Sequence, residues 1–290
     1  QVMRRIQDLN QGPLSDKSIL KLFREIMSSC LSLESPLKVS YLGPEGTYTH
    51  LATINHFGNS VLSNAFSSVE EVFASVEKRD SHYGVVPVEN STQGIVSSTL
   101  DMFMKSSLKI AGEIEIIINH NMLSKSDNPS DIKKIYAHPQ SFSQCKQWLD
   151  KNYADCDKVN ALSNAEAALI ASKEKDTAAI ASEAAADIYG LNMLSKNIQD
   201  NQNNSTRFLV IGNRDTEPSG NDKTSIIVST KNNSGALYEL LKPLSKNNVS
   251  MTRIESRPSK HNNWEYLFYL DLDGHIKDEP LKKANEEIKK

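Results

Sequence analysis

The sequence predicts an α/β protein with largely parallel sheets, preceded by a short helical segment and followed by a smaller α/β unit. Three observations carry this. From residue 37 onward, apolar strand-like runs, polar turns and helical runs alternate. A polar stretch, Asn213 to Lys223, then interrupts the pattern. Beyond it the order is strand, helix, strand, strand, helix, one strand short of a ferredoxin-like βαββαβ unit.

The elements follow in order. Residues 1–35 read as helical: Val2, Ile6 and Leu9 share a face, Gln11-Gly12-Pro13 makes a turn, and a second helix opens at Ser15 or Asp16. Ile19, Leu22, Phe23, Ile26, Met27 and Cys30 keep helical spacing until Pro36 stops it. Two such helices cannot close a core alone, so they must pack on something else or end a truncated domain. The chain opens on Gln1 inside this helix and is expected to be a piece of a longer polypeptide. The main unit reads as strands at Lys38–Leu42, Tyr83–Val88, Lys134–Ala137, Thr177–Ala181 and Phe208–Ile211. Helices are expected at Thr47–Phe57, about Gly94–Lys105, Phe142–Tyr153 and Glu183–Tyr189. In the smaller unit, strands are expected at Thr224–Thr230, Val249–Glu255 and Tyr266–Leu272, with helices at Gly235–Asn247 and Leu281–Lys290. Its missing strand is read as a truncated C-terminus.

Composition narrows the function classes. With 290 residues, 38% hydrophobic and 24% charged, the chain has the balance of an ordinary soluble protein of about two domains. A net charge of -3 gives no reason to expect nucleic acid or membrane as partner. No apolar run approaches the ~20 residues of a spanning helix. Cys30, Cys145 and Cys156 are odd in number and form no C-x-x-C pair, which suits a reducing, cytoplasmic setting. The seven histidines form no ligand spacing, so no metal site is expected.

The chemistry-bearing residues sit where strands end. Gly43-Pro-Glu-Gly-Thr47-Tyr-Thr49, Glu89-Asn90-Ser91-Thr92-Gln-Gly94, His138-Pro139-Gln140-Ser141 and Ser182-Glu183 each run from a strand into a helix. Open α/β sheets bind ligands outside the carboxyl ends of their strands, and helix N-termini there offer free N–H groups to anions. Taken singly, Thr47, Thr49, Ser91 and Ser141 are as readily helix caps. In Asn203-Asn-Ser-Thr206-Arg207-Phe208, Arg207 could fork onto a carboxylate and Thr206 could serve a leaving group; otherwise this is a surface loop with one solvated arginine. His138 invites a general-acid reading, although a histidine before proline is more often a structural hydrogen-bonding group. Spacing alone yields an α/β protein with an anion-friendly cleft and names no reaction.

Taken together, Tyr41-Leu-Gly-Pro-Glu-Gly-Thr47, Val86-Pro-Val-Glu-Asn-Ser91 with Gly94, His138-Pro-Gln140 and Asn204-Ser-Thr-Arg-Phe208 resemble the prephenate dehydratase signature, in the family's order. Gly235-Ala236-Leu237 and Glu255-Ser256-Arg257-Pro258 resemble the two phenylalanine-binding motifs of the ACT domain attached to that enzyme. Residues 1–36 are similar to the end of the helical chorismate mutase domain that precedes it in bifunctional bacterial enzymes. Glu34 there matches a substrate-contacting position.

The resemblance implies a dehydratase domain at 37–213 shaped like a type II periplasmic binding protein. Lobe 1 would span about 37–115 and 197–213, and lobe 2 about 116–196. The chain would pass between them near 112–118 and return near 193–200. A linker at 214–223 and a ferredoxin-like ACT domain at 224–290 would follow.

It also implies decarboxylating dehydration of prephenate to phenylpyruvate, without a cofactor, under feedback from L-phenylalanine. Thr206, Arg207 and Phe208 would be catalytic, and Thr47, Asn90, Ser91, Gln140 and Ser182 would contact substrate. Because ACT domains of this kind bind effector between subunits, a homodimer or homotetramer is expected. The full-length protein is expected to carry chorismate mutase activity as well, and these 290 residues, lacking the long first mutase helix, are not. Three departures stand out: Thr49 replaces a frequent serine, Ala137 removes a hydroxyl before His138, and Tyr238 stands where valine is usual. The competing readings are an arogenate dehydratase and a non-catalytic small-anion-binding protein of the same two-lobed fold.

Overall fold

The computed structural model describes residues 2–230, 233–258 and 266–289, and divides into two units, Val2–Asp215 and the chain from Thr216 onward. Gln1 and Lys290, the outer ends of the expected first and last helices, lie outside the described residues.

The larger unit opens with α1 (Val2–Asp8) and α2 (Asp16–Glu34). Ser15 caps α2, its Oγ accepting from the Ser18 N–H. The helix docks by its polar side. Arg24 donates to the Asn55 carbonyl at 2.6 Å, Glu25 accepts from Asn59, and Ser28 is buried. Leu22, Ile26, Leu31 and Leu33 remain exposed. The close approach is made at Gly58, whose φ is +86°. A Cβ there would lie 2.6 Å from the Ser28 Cβ. Gly58→Ala is therefore expected to lower unfolding free energy by about 2 kcal/mol, from overlap and backbone strain together. Urea denaturation checks this; a loss below about 0.5 kcal/mol, the scale of an ordinary surface change, refutes it.

Two sheets follow. The first is built from β1 (Lys38–Leu42), α3 (Tyr48–Phe57), β2 (Leu62–Phe66), α4 (Val69–Glu77), β3 (Tyr83–Asn90), the short β4 (Gly94–Ile95), α5 (Ser97–Phe103) and β5 (Lys109–Ile117). The chain then crosses at residues 118–120. The second sheet comprises β6 (Asn121–Ser124), β7 (Lys134–Ala137), α6 (Pro139–Gln144), α7 (Lys146–Asn152), β8 (Asp157–Asn160), α8 (Asn164–Ala171), β9 (Thr177–Ala181), α9 (Glu183–Tyr189) and β10 (Asn192–Ser195). After residues 196–204 the chain re-enters the first sheet as β11 (Ser205–Gly212).

Strand order is β2-β1-β3-β11-β5 in the first sheet, with β4 on β3, and β10-β6-β9-β7-β8 in the second. Each has its own apolar core, Val39, Tyr41, Val85, Phe208 and Val210 in one, Met122, Ile135, Leu149 and Ile180 in the other.

The expectation of largely parallel sheets is corrected. β1 pairs parallel with β2 and β3, and β7 with β8 and β9. However, β11 runs antiparallel to both β3 and β5, and β6 to both β9 and β10. The reversal comes from the strands that carry the chain across and back. A second correction concerns the helix expected at 142–153, which is two helices meeting at Cys145, whose φ of -115° and ψ of 16° leave the helical region.

The smaller unit contains β12 (Lys223–Thr230), α10 (Ala236–Lys246), β13 (Met251–Pro258), β14 (Tyr266–Asp273) and α11 (Glu279–Ile288). Its sheet is antiparallel with order β12-β14-β13. Leu244 of α10 and Leu281 and Ala284 of α11 pack with Phe268, Leu270 and Leu272 of β14. Both helices thus cover the face that the alternate β14 side chains present.

Candidate active site

Four strand ends meet between the two sheets. β1 and β3 are parallel, so the Gly43–Thr47 turn and Asn90 emerge on one edge; β7 and β9 are likewise parallel, bringing His138 and Ser182 out together. Several of the candidate hydroxyls do cap helices. Thr47 Oγ1 accepts from the His50 N–H and donates to the Pro44 carbonyl at 2.9 Å. Ser182 Oγ accepts from the Ala185 N–H and donates across to the Gly46 carbonyl at 3.0 Å. Tyr189 donates to the neighbouring Glu45 carbonyl at 2.9 Å. The turn after β1 and the start of α9 are thereby fastened to each other.

His138 is likewise a cap. Its Nδ1 accepts from the Gln140 N–H, and its own N–H donates to Asn164. Ser141 is buried and accepts from Asn164 at 2.7 Å. Gln140 stands half-buried on the first turn of α6.

The densest polar cluster surrounds Thr206. Asn90 Nδ2 donates to Thr206 Oγ1 at 2.8 Å and lies 3.1 Å from Asn204 Oδ1. Ser91 Oγ donates to the same Asn204 oxygen and accepts from the Ser205 N–H. The direction of the Asn90 amide is settled by groups that can only donate. The N–H groups of Thr92 and Gln93 both point at Oδ1, at 3.1 Å each. Nδ2 therefore faces Thr206, and Thr206 Oγ1 is an acceptor toward Asn90. The hydroxyl proton of Thr206 is left for another partner. Thr206 is 9% exposed and Asn204 2%, so this donor sits at a nearly dry surface. Asn204 Nδ2 is a buried donor with no acceptor among the described residues.

Arg207 and Phe208, expected to act beside Thr206, stand outside this hydrogen-bonded cluster. Arg207, next to Thr206 on the strand, faces the opposite side of the sheet, and β11 shifts register against β3 between Arg207 and Phe208. The Arg207 guanidinium lies 2.8 Å from Glu89 and 2.6 Å from Glu113, with its side chain 19% exposed. Two carboxylates already occupy the fork that a substrate carboxylate was expected to fill. Phe208 is 1% exposed and packs among Val39, Val85 and Ile116.

Residues that spacing did not single out complete the site. Gln144 Nε2 donates to Thr92 Oγ1 at 3.0 Å, and Gln144 Oε1 lies 2.8 Å from His120 Nε2. His120 stands in the crossing segment and is 2% exposed; burial holds its pKa below the ordinary 6.5, against the raising effect of the Gln144 bond. Tyr48, whose pKa burial pushes up, donates to the Asn119 carbonyl. Thr92 lies within a quoted motif and Gln144 three residues beyond another, a signal that could have found them. His120 carries none, because a single histidine between two strands has no periodicity.

In the smaller unit, Gly235 opens α10 with φ +83°, followed by Ala236 and Leu237. Glu255–Pro258 closes β13. Thr230 and Pro258 both pair with Tyr266, so the two segments lie at one end of the sheet. Glu34 ends α2 on the exposed surface. Among the described residues there is no cluster of three or more metal-ligating side chains, and no helix is long and apolar enough to cross a membrane.

Comparison with known proteins converges. The family model described as prephenate dehydratase matches residues 39–216. A bifunctional chorismate mutase/prephenate dehydratase of Pseudomonas aeruginosa is 49% identical over 291 residues, covering 99% of this chain and 79% of that protein. One of Aquifex aeolicus is 44% identical, with 99% and 80% covered. A crystal structure of prephenate dehydratase in complex with L-Phe from Arthrobacter aurescens superposes with a TM-score of 0.80 at 30% identity, covering 87% of this chain and 85% of that one.

Proposed function

The chain belongs to the prephenate dehydratase family, and from that premise we propose that it converts prephenate to phenylpyruvate at the Thr206 cluster. One observation carries the assignment to this site: Thr206 accepts from Asn90, so its proton is directed away from Asn90 and toward a ligand. Prephenate loses CO₂ from its ring carbon and hydroxide from the opposite ring position. The electron pair of the breaking C–C bond completes the aromatic ring, and the departing hydroxide takes up one proton to leave as water. Thr206 donates to that oxygen as its charge develops. No electrons are exchanged with a second molecule, so the reaction itself calls for no redox cofactor. Since Glu89 and Glu113 neutralise Arg207, the dianionic substrate is held by N–H groups at strand ends and helix starts and by the amides of Asn204 and Gln140. Thr47, Ser91 and Ser182 hold that frame by capping and cross-linking.

The domain reading extends this. Residues 37–213 form the two-lobed dehydratase, comparable in plan to a type II periplasmic binding protein. Residues 224–290 act as an ACT domain in which Gly235–Leu237 and Glu255–Pro258 receive L-phenylalanine, with Tyr238 shaping the pocket. The strand order β12-β14-β13, the placement of both segments at one sheet end, and the L-Phe complex of the Arthrobacter aurescens relative support this. A homodimer or homotetramer completes the effector site between subunits, and α1 and α2 are the tail of a mutase domain.

Incubation with prephenate, following phenylpyruvate enolate absorbance with and without L-phenylalanine, tests both halves. Phenylpyruvate formation that L-phenylalanine suppresses is expected. No product from prephenate overturns the activity, faster turnover of arogenate moves the substrate, and kinetics blind to L-phenylalanine remove the regulatory reading.

A further inference from the structure

The hydrogen bonds around Thr206 continue, through side chains alone, into the crossing between the lobes, and their direction can be derived link by link. Asn90 Oδ1 accepts from two backbone N–H groups, so it also accepts from Thr92 Oγ1, 2.6 Å away. Thr92 has one proton, and that contact uses it. Toward Gln144 the Thr92 oxygen must therefore accept, which turns the Gln144 NH₂ to Thr92 at 3.0 Å. The Gln144 carbonyl oxygen is then the atom facing His120 Nε2 at 2.8 Å. A carbonyl oxygen only accepts, so His120 Nε2 must carry a proton. At the other end Tyr48 spends its proton on the Asn119 carbonyl, and its oxygen stands 3.4 Å from His120 Nδ1, too long a contact to set the tautomer against the 2.8 Å bond to Gln144.

We propose that His120 is a positioning residue for Thr206: its Nε2–H starts a one-way chain of donors through Gln144 and Thr92 that joins the two backbone N–H groups in holding Asn90 with its NH₂ toward Thr206, and so steadies the Thr206 proton toward the substrate. The proposal rests on the dehydratase reading of the site and deepens it. His120 touches no substrate. It acts by fixing the Gln144 amide, which would otherwise be free to flip. A flipped Gln144 presents its oxygen to Thr92, draws the Thr92 proton away from Asn90, and leaves Asn90 Oδ1 with its two backbone donors but without its shortest contact.

The location adds a consequence. His120 lies in the crossing, its N–H bound to Gln199 Oε1 at 2.9 Å and its carbonyl to the Ile198 N–H at 2.8 Å on the returning segment. Gln144 belongs to the second sheet's helices, and Thr92 and Asn90 to the first sheet. The chain is therefore complete only while the two lobes are in register, so Asn90 and Thr206 are held most firmly in the closed arrangement.

Two measurements test this on the wild-type chain and on variants. In the unliganded protein, long-range ¹H–¹⁵N correlation of the histidine rings at pH 7.5 is expected to show His120 protonated on Nε2; a proton residing on Nδ1 alone overturns the proposal. In steady-state assays with prephenate, His120→Leu is expected to lower kcat about tenfold with KM changed less than about threefold, the scale of one lost hydrogen bond in the transition state. His120→Gln, which can donate an N–H from near the Nε2 position, is expected to recover kcat to within about threefold of wild type. Leu and Gln variants that are equally impaired, or an unimpaired Leu variant, refute a positioning role. An inactive wild-type protein defeats the dehydratase reading instead, and the ring-proton measurement still decides the tautomer.

Discussion

Thr206→Val is expected to lower kcat/KM for prephenate by about a thousandfold, while Thr206→Ser is expected to stay within about tenfold of wild type. Valine keeps the volume and branching of threonine but has neither a proton to give nor an oxygen to accept. A positioned proton donor contributes on the order of 10²–10⁴ in rate, and here the hydroxyl is the one group whose proton the Asn90 contact leaves uncommitted. The same change strands Asn90 Nδ2 of one acceptor, a cost of about 1 kcal/mol that leaves the protein folded. Circular dichroism and urea denaturation of the valine variant separate the two effects. A folded valine variant with near-normal phenylpyruvate production removes Thr206 from the chemistry. The serine variant sharpens the result, because it restores the hydroxyl without the methyl.

The second large effect is on stability. Phe208→Ala is expected to lower unfolding free energy by about 3–5 kcal/mol, the range for truncating a fully buried phenylalanine. Phe208 is 1% exposed among Val39, Val85, Ile116 and Val210, and β11 is the strand that joins β3 to β5. A cavity there weakens the centre of the first sheet. Phe208→Leu, which refills most of the volume, is expected to keep kcat within about threefold. A leucine variant of normal stability that loses activity a hundredfold contradicts the core assignment and returns Phe208 to the catalytic set.

The residues that were legible before the structure share one property: their position follows from local pattern. Lys134–Ala137, Thr177–Ala181 and Glu183–Tyr189 are short apolar or capped runs bounded by polar turns, and the structure places these elements at those bounds. Asn164–Ala171 was not legible, since an alanine-rich helix buried on several sides shows no apolar stripe. Lys109–Ile117 was missed as a strand, and with it the antiparallel half of the first sheet, because pairing partners nearly a hundred residues apart leave no local mark.

The site divides the same way. Asn90 and Thr206 were visible as motif residues, and the structure joins them directly. Arg207 was visible as a charge, but its partners Glu89 and Glu113 come from two other strands and decide where it points. His120 and Gln144 acquire meaning only from residues on both lobes.

The two crossings between the lobes have a mechanical consequence. Residues 118–120 leave β5 for β6, and residues 196–204 leave β10 for β11. At one end β5 and β11 are ladder partners; at the other, β6 and β10 are. The crossings are also tied together between those ends, by Ile118 to Asn204 and Ile198 to His120. Two parallel leaves fixed at both ends and pinned along their length behave as a strap hinge. They resist sliding and torsion and yield in one direction, a bend about the line that crosses both. Displacement then grows with distance from that line. The contacts of Ser182 with Gly46 and of Tyr189 with Glu45 sit beyond the hinge and form the catch of the door. His120 sits on the pin itself, where the same swing moves it least.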